Sequence, residues 1–256
     1  MTKDSKPLKT GPDGHRLSVI VPTLNEAACI GTVLDGLLET GGFEELLVVD
    51  GGSDDGTQAI VEERGVQLLR QSRPGFGPGL YEAFETATGD LLCIVDADGS
   101  HNWQDLPRMR ATINDGYDYV LASRYCGQFK YRGIGRWPWS TSNDDTLLHE
   151  FGNLSIVFLA KLLHGYPLSD VMMGLQMWRR SIFDVIQLEE ESQAFEAEFK
   201  LRVHHAGFKM AELSSVEHPR IGGEAKLNAW TDGLATARVL FREWKRSGWR
   251  RGPKSR

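Results

Sequence analysis

The segment Leu91–His101 constrains the fold more than any other, because five apolar residues lead directly into Asp-Ala-Asp-Gly. The apolar run is short and rich in β-formers, so it predicts a buried strand that ends at Asp96. In open α/β sheets, ligands bind beyond the carboxyl ends of the strands. Asp96 and Asp98 are therefore candidate ligands for Mg²⁺ or Mn²⁺, which prefer hard oxygen donors and often share a substrate phosphate. A solvated Asp-rich turn is the alternative for so short a pattern.

Composition sets limits on the class of protein. The chain has 256 residues, is 41% hydrophobic and carries a formal net charge of −6, which allows a large core and argues against a nucleic-acid partner. The three cysteines have no CxxC spacing, which is typical of core residues in a reducing, cytoplasmic compartment. No run approaches the roughly 18 apolar residues of a membrane span. Residues 1–16 are polar, and we expect them to form a flexible tail.

The first half of the chain alternates short apolar runs with longer amphipathic segments. This pattern predicts strands near residues 17–21, 46–49, 66–69 and 91–95, with helices near 28–40, 57–64 and 80–88. Such alternation indicates an α/β fold, a Rossmann-like and mostly parallel sheet flanked by helices. Parallel strands end at one edge, so the polar residues that follow them should share a crevice: Asn25, Glu26, Asp50, Ser53, Asp96 and Asp98.

The second half predicts helices near residues 105–115, 146–164 and 195–206, and strands near 119–122 and 209–213. Between them, Gln128–Asp145 interleaves basic and aromatic side chains without a regular period. Such a loop can bind nucleic acid, but the negative net charge and the absence of a nucleic-acid motif oppose that reading.

Three motifs occur in order: Ser18–Glu26, Val48–Thr57 and Val95–Asp98. Together they resemble the family 2 glycosyltransferases with the GT-A fold, most closely the polyprenyl- or dolichyl-phosphate mannose synthase branch. Ser100-His101, Ala122–Tyr125 and Arg220–Leu227 extend the resemblance over most of the chain. It implies a metal-dependent, inverting enzyme that moves mannose or a similar hexose from a GDP- or UDP-sugar, such as GDP-mannose, to a polyprenyl phosphate.

The resemblance also assigns roles to individual residues. It places the nucleotide sugar on Pro22, Thr23, Asn25, Glu26, Asp50, Ser53, Asp96, Ala97, Asp98, Arg220 and Lys226. Mg²⁺ or Mn²⁺ would bind Asp96, Asp98 and Ser100, and the acceptor phosphate would bind Arg124, Arg132 and Arg136. The candidate catalytic residues are Asp98, Arg124 and Asp170. The pair Gly51-Gly52 departs from the Asp-Gly or Asp-Asp of many relatives.

The carboxyl-terminal part carries two further expectations. Arg220–Leu227 resembles a glycine-rich lid that closes on the donor and excludes water. A transferase domain spanning residues 17–230 would precede a basic amphipathic segment, residues 231–256. That segment fits either an anionic membrane surface, with the enzyme peripheral at the cytoplasmic face, or a helix docked on the core.

Two other functions fit the same residues. One is a soluble transferase that glycosylates a hydroxyl group of a small metabolite, for which Asp170 is the candidate base. The other is a non-catalytic module that binds nucleotide sugars.

Overall fold

The computed structural model describes residues 10–126, 147–222 and 229–247. Within these ranges the strands are β1 (Leu17–Thr23), β2 (Glu45–Asp50), β3 (Gln67–Arg70), β4 (Leu91–Ile94), β5 (Tyr119–Ser123), β6 (Gln176–Arg179) and β7 (Met210–Ser214). The α-helices are α1 (Ile30–Thr40), α2 (Thr57–Glu63), α3 (Phe76–Thr86), α4 (Leu106–Asn114), α5 (Leu147–His164), α6 (Phe195–His205) and α7 (Ala229–Ser247).

All seven strands form one sheet in the order β3-β2-β1-β4-β6-β5-β7. The pairs β1–β2, β1–β4, β2–β3 and β5–β7 are parallel. The central strands β1 and β4 are buried because their apolar runs are covered by helices on both faces. The prediction of a mostly parallel sheet flanked by helices is confirmed, and the ends of β1, β2 and β4 meet at one edge.

Strand β6 is a feature that the sequence pattern did not predict. It runs antiparallel between β4 and β5, with Gln176 opposite Ile94. Gln176 is fully buried, where it accepts a hydrogen bond from the Tyr119 hydroxyl (2.6 Å) and donates one to Glu196 (2.6 Å). Because β6 starts where β4 ends, the segment before it, residues 165–175, lies at the same edge as the carboxyl ends of the parallel strands.

Of the expected flexible tail, residues 1–9 lie outside the described residues, and residues 10–16 contact the domain. Nε and one terminal nitrogen of Arg110 each lie 2.7 Å from an Asp13 carboxylate oxygen. Hydrogen bonding to Arg110 holds the pKa of Asp13 well below its usual range. This ion pair fastens the segment to α4, and Arg110 also bonds the backbone carbonyl oxygen of Gly42.

The carboxyl-terminal helix α7 packs against α5 and α6. Its inner face buries Val239 and Leu240 in the core. Arg242 of this helix also binds Glu190 (2.9 Å) and Glu198 (2.7 Å). The helix is therefore docked on the domain, which is one of the two readings of this segment. Among the described residues, no helix combines the length and apolarity needed to cross a bilayer.

Candidate active site

A cavity of about 430 Å³ opens at the carboxyl edge of the sheet. Its walls come from the segments that follow β1, β2, β3 and β4, and from the start of α3. Seven of the residues predicted for the nucleotide sugar line it: Pro22, Thr23, Glu26, Asp96, Ala97, Asp98 and Arg220. Residues more than a hundred positions apart thus converge as the topology requires.

Asp98 is held in a tight turn. Gly99 takes a left-handed conformation (φ 81°), which lets the Ser100 amide donate to Oδ1 of Asp98 at 2.8 Å. Burial opposes ionisation of Asp98, but the neighbouring His101 ring, the Ser100 hydrogen bonds and Arg220 together lower its pKa. Asp98 is therefore a carboxylate at neutral pH, which is the form that binds cations.

The segment that carries Arg220 is fastened to this turn by its backbone. The His218 amide donates to the Ser100 carbonyl oxygen (2.8 Å), and the Ile221 amide donates to that of Asp98 (2.9 Å). A terminal nitrogen of Arg220 then lies 2.9 Å from Oδ2 of Asp98, and the other lies 3.7 Å from Glu26. The start of the predicted lid is thus ordered against the Asp-Ala-Asp turn.

Two buried donor atoms beside the cavity have no hydrogen-bond partner among the described residues. They are the Thr23 hydroxyl oxygen and Nε of Arg220, and both residues line the cavity. A buried polar group without a partner costs on the order of 1–3 kcal/mol. An anionic or carbonyl-bearing ligand in the cavity could accept from both donors.

Asp96 faces the cavity while its backbone and carboxylate both meet His101. Enclosure by the protein and the nearby negative charge of Asp98 raise the pKa of Asp96. The two carboxylates supply the hard oxygen donors that suit Mg²⁺ or Mn²⁺, so the residues present fit such a cation. Ser100 lies behind Asp98 and does not line the cavity; its role as a third ligand stays a prediction.

A second acidic cluster offers a contrast. Carboxylate oxygens of Glu189, Glu198 and Glu243 lie within 4.8 Å of one another. Arg202 and Arg242 bind members of this cluster at 2.7–3.6 Å. Because arginines already neutralise these carboxylates, the cluster joins α6 to α7 and does not resemble an open cation site.

Asp50 and its neighbours form the connection between two loops. The Asp50 carboxylate is buried and accepts bonds from the Gly52 amide (3.0 Å), the Ser53 amide (2.9 Å), the Ser53 hydroxyl (2.5 Å) and Gln58 (2.6 Å). The Ser53 hydroxyl in turn accepts from the Asn25 amide at 2.8 Å. Asp50 and Ser53 therefore connect the loops after β1 and β2, although neither lines the cavity. The contact of Asp50 with a nucleotide base stays a prediction.

Arg124 and Asp170 form a buried ion pair that the sequence did not predict. Arg124 donates from Nε and a terminal nitrogen to both carboxylate oxygens, at 2.9 and 3.0 Å. Its other terminal nitrogen lies 3.3 Å from Glu217. Burial opposes ionisation, yet Arg124 lowers the pKa of Asp170. Neither residue lines the cavity, and their predicted roles in catalysis and phosphate binding stay predictions.

Some candidate residues fall outside this description, and others were missed. Arg132, Arg136 and Lys226 lie outside the described residues. Gln71 and Gln193 line the cavity but were not predicted. The position of Gln71 directly after β3 was an available signal, whereas Gln193, before α6, carries no motif.

The sequence profile of Glycosyl transferase family 2 matches residues 18–186 of the chain. The chain belongs to this family. The resemblance drawn from the three motifs is confirmed, and the protein is a glycosyltransferase.

Several relatives of this glycosyltransferase have names that state a substrate. A dolichyl-phosphate hexose transferase of Haloferax volcanii is 28% identical over 227 residues, which cover 88% of the chain and 92% of the relative. A polyprenol monophosphomannose synthase of Mycolicibacterium smegmatis is 26% identical over 243 residues, covering 90% and 87%.

Among solved structures, the glycosyltransferase is similar to glucosyl-3-phosphoglycerate synthase of Mycobacterium tuberculosis, crystallised with Mn²⁺, UDP and phosphoglyceric acid. The TM-score is 0.70 at 19% identity, over 94% of this chain and 81% of the other. The GT-A fold prediction is confirmed.

Proposed function

We propose that the enzyme transfers mannose or a similar hexose from a GDP- or UDP-sugar to a polyprenyl phosphate. The observation that carries this proposal is the cavity in which Asp96, Asp98, Arg220 and the Thr23 hydroxyl converge. The named relatives that act on dolichyl and polyprenyl phosphates support the choice of acceptor. The Mn²⁺ and UDP in the structural neighbour support the choice of donor.

The residues suggest how the donor would be held. Bound by Asp96 and Asp98, Mg²⁺ or Mn²⁺ would offset the charge that develops on the leaving diphosphate. Arg220 would add a charge-assisted hydrogen bond from Nε, which has no partner among the residues described. The buried Thr23 hydroxyl, at the end of β1, would donate a hydrogen bond to the nucleotide sugar. Direct attack by the acceptor oxygen in a single displacement inverts the anomeric carbon.

The state of Asp170 favours a phosphate over a hydroxyl acceptor. A hydroxyl needs a general base, but Asp170 is only 1% exposed and both its oxygens are bonded to Arg124. Its lowered pKa also makes it a weak base. A phosphate monoester, with a second pKa near ~6, is already an anion at neutral pH and needs no proton removed.

Two adjacent helices present a surface that suits a lipid-linked acceptor. The outer face of α7 exposes Leu234, Arg238, Phe241 and Lys245 at helical spacing. On α5, Phe151, Phe158 and Leu162 are about two-thirds exposed (64–67%), next to exposed Lys161. Apolar side chains interleaved with cations complement an anionic membrane surface. We propose that the enzyme is peripheral at the cytoplasmic face of the membrane through this α5–α7 surface.

A transfer assay tests the proposed reaction. Purified enzyme is incubated with polyprenyl phosphate, Mn²⁺ and a radiolabelled GDP- or UDP-hexose, and the label in the organic phase is counted. We expect organic-phase label with one of these donors and a loss of transfer with Asp98→Asn. Label transferred only to water-soluble hydroxyl compounds would support the small-metabolite alternative. Nucleotide-sugar binding without any transfer would support a binding module.

A further inference from the structure

We infer that His101 and Gly174 are positioning residues that together fix the orientation of Asp96 in the donor site. The inference rests on the proposed function, since it gives Asp96 a reason to need a fixed orientation. Neither residue lines the cavity, so both act through Asp96 and not on the substrate.

His101 contacts Asp96 through both ring nitrogens. Its Nδ1 accepts a hydrogen bond from the Asp96 amide at 3.0 Å. The other ring nitrogen, Nε2, lies 3.2 Å from Oδ2 of the Asp96 carboxylate. One buried ring, only 2% exposed, thus holds the main chain and the side chain of the same aspartate. A contact of this kind sets the direction in which a carboxylate presents its oxygens.

Gly174 packs against both Asp96 and His101. A Cβ atom at this position would lie 3.0 Å from Oδ2 and 3.3 Å from Oδ1 of Asp96, and 3.1 Å from Cε1 of His101. The φ of Gly174 is not in the left-handed region, so its backbone would accept alanine. A methyl group here would instead press on the Asp96 carboxylate and the His101 ring, which would have to shift by a few tenths of an ångström.

Buried charged side chains hydrogen-bond the backbone just before Gly174. The Met172 and Met173 amides donate to Oδ1 of Asp170, at 3.1 and 3.2 Å. The Met173 carbonyl oxygen accepts from the fully buried Lys200 ammonium group at 2.9 Å. We therefore assign the Asp170 carboxylate a structural role: it holds the loop in which Gly174 contacts Asp96.

The test measures Mn²⁺ binding directly. Gly174→Ala, His101→Ala and His101→Asn are compared with the unaltered protein, in the presence of GDP or UDP, by electron paramagnetic resonance of free Mn²⁺. Matched controls are Gly152→Ala, where a Cβ meets nothing within 4 Å, and His15→Asn. Circular dichroism and the thermal midpoint without metal report whether each variant is folded.

We expect Gly174→Ala and His101→Ala to weaken Mn²⁺ binding about tenfold, as is typical for residues behind a metal ligand. His101→Asn should recover part of this loss, because its amide oxygen can replace Nδ1 as acceptor for the Asp96 amide. The controls should bind as the unaltered protein does. If His101→Ala does not fold, Gly174→Ala carries the same test.

Two results would overturn the inference in different ways. Folded variants that bind Mn²⁺ as tightly as the unaltered protein would remove the positioning role and leave the proposed function intact. Failure of the unaltered protein to bind Mn²⁺ with either nucleotide would remove the metal site, and the inference with it.

Discussion

Arg220 lies 2.9 Å from the carboxylate of Asp98, so that a protein cation is already paired with a proposed metal ligand. The Arg220 guanidinium and a Mn²⁺ ion should therefore compete for Asp98 until a bound diphosphate gives Arg220 another partner. We expect Arg220→Ala to strengthen Mn²⁺ binding without nucleotide but to weaken nucleoside diphosphate binding about tenfold, since it removes a charge-assisted hydrogen bond. Calorimetric titration with each ligand alone measures both effects. Weakening of both would contradict the competition.

Loss of the charge on Asp98 should abolish most of the transfer. Asp98→Asn keeps the shape but removes a hard anionic donor, and we expect the transfer rate to fall about 10²–10³-fold, corresponding to several kcal/mol of lost stabilisation. Initial rates at saturating Mn²⁺ measure the effect. Asp115→Asn, at the end of α4, is the control. A rate within a factor of two of the unaltered enzyme would exclude Asp98 from the reaction.

The buried pair of Arg124 and Asp170 should behave as a unit. Asp170→Ala removes the carboxylate that binds both Nε and a terminal nitrogen of the buried Arg124 guanidinium, and we expect a loss of about 3–5 kcal/mol in the free energy of unfolding. The double variant Arg124→Met with Asp170→Ala should lose less than the two single changes combined, because neither member of the pair is left behind as a buried charge without the other. Urea denaturation measures all three. Additive losses would mean that the pair is not coupled.

A cluster of histidines should make the fold sensitive to acid. Burial lowers the pKa of His205 to about 4, and burial also lowers the pKa of His164 and His204. Between about pH 6.5 and 4, the unfolded chain binds protons that the folded state does not, so the free energy of unfolding falls as the pH falls. Urea denaturation at pH 7.5 and 5 measures the slope. His205→Gln should reduce it, and an unchanged slope would contradict a role for this cluster.

The α5–α7 surface predicts binding to anionic vesicles. Leu234→Glu with Phe241→Glu should reduce co-sedimentation with phosphatidylglycerol vesicles more than tenfold, because it removes apolar contacts of about 1.5–3 kcal/mol each and adds two negative charges. The control is Leu38→Glu with Val185→Glu, two exposed apolar residues outside the surface. Equal loss in both variants would indicate a general effect of charge and not a binding surface.

Much of the fold could be predicted because its signals are local. The strands β1, β2 and β4 are continuous apolar runs that end in polar motifs, and each is found within a few residues of its predicted bounds. Strand β6 was missed because Gln176 makes it look polar. Its amide is satisfied by Tyr119 and Glu196, which are 57 and 20 residues away in sequence.

In the candidate site, too, features with local sequence signals could be predicted and contacts between distant residues could not. Asp96 and Asp98 could be placed at a cavity because both follow one recognisable strand, β4. The pairing of Arg124 with Asp170, 46 residues apart, depends on tertiary packing that no local pattern encodes. Asp170 and Gly174 resemble the Asp-x-x-x-Gly segment of the family, but the contact of Gly174 with Asp96 is visible only once the loop before β6 is in place.

The antiparallel direction of β6 has a consequence for which substitutions this chain can tolerate. Because β6 is antiparallel, its amino-terminal end lies at the edge of the sheet where the parallel strands have their carboxyl ends and where the cavity opens. The proposed donor site is therefore built from loops that follow β1, β2, β3 and β4, and the Asp170–Gly174 loop reaches it from a later stretch of the chain. Because Gly174 of the later stretch contacts Asp96 of the earlier one, a larger side chain in either stretch has to be accommodated by the other.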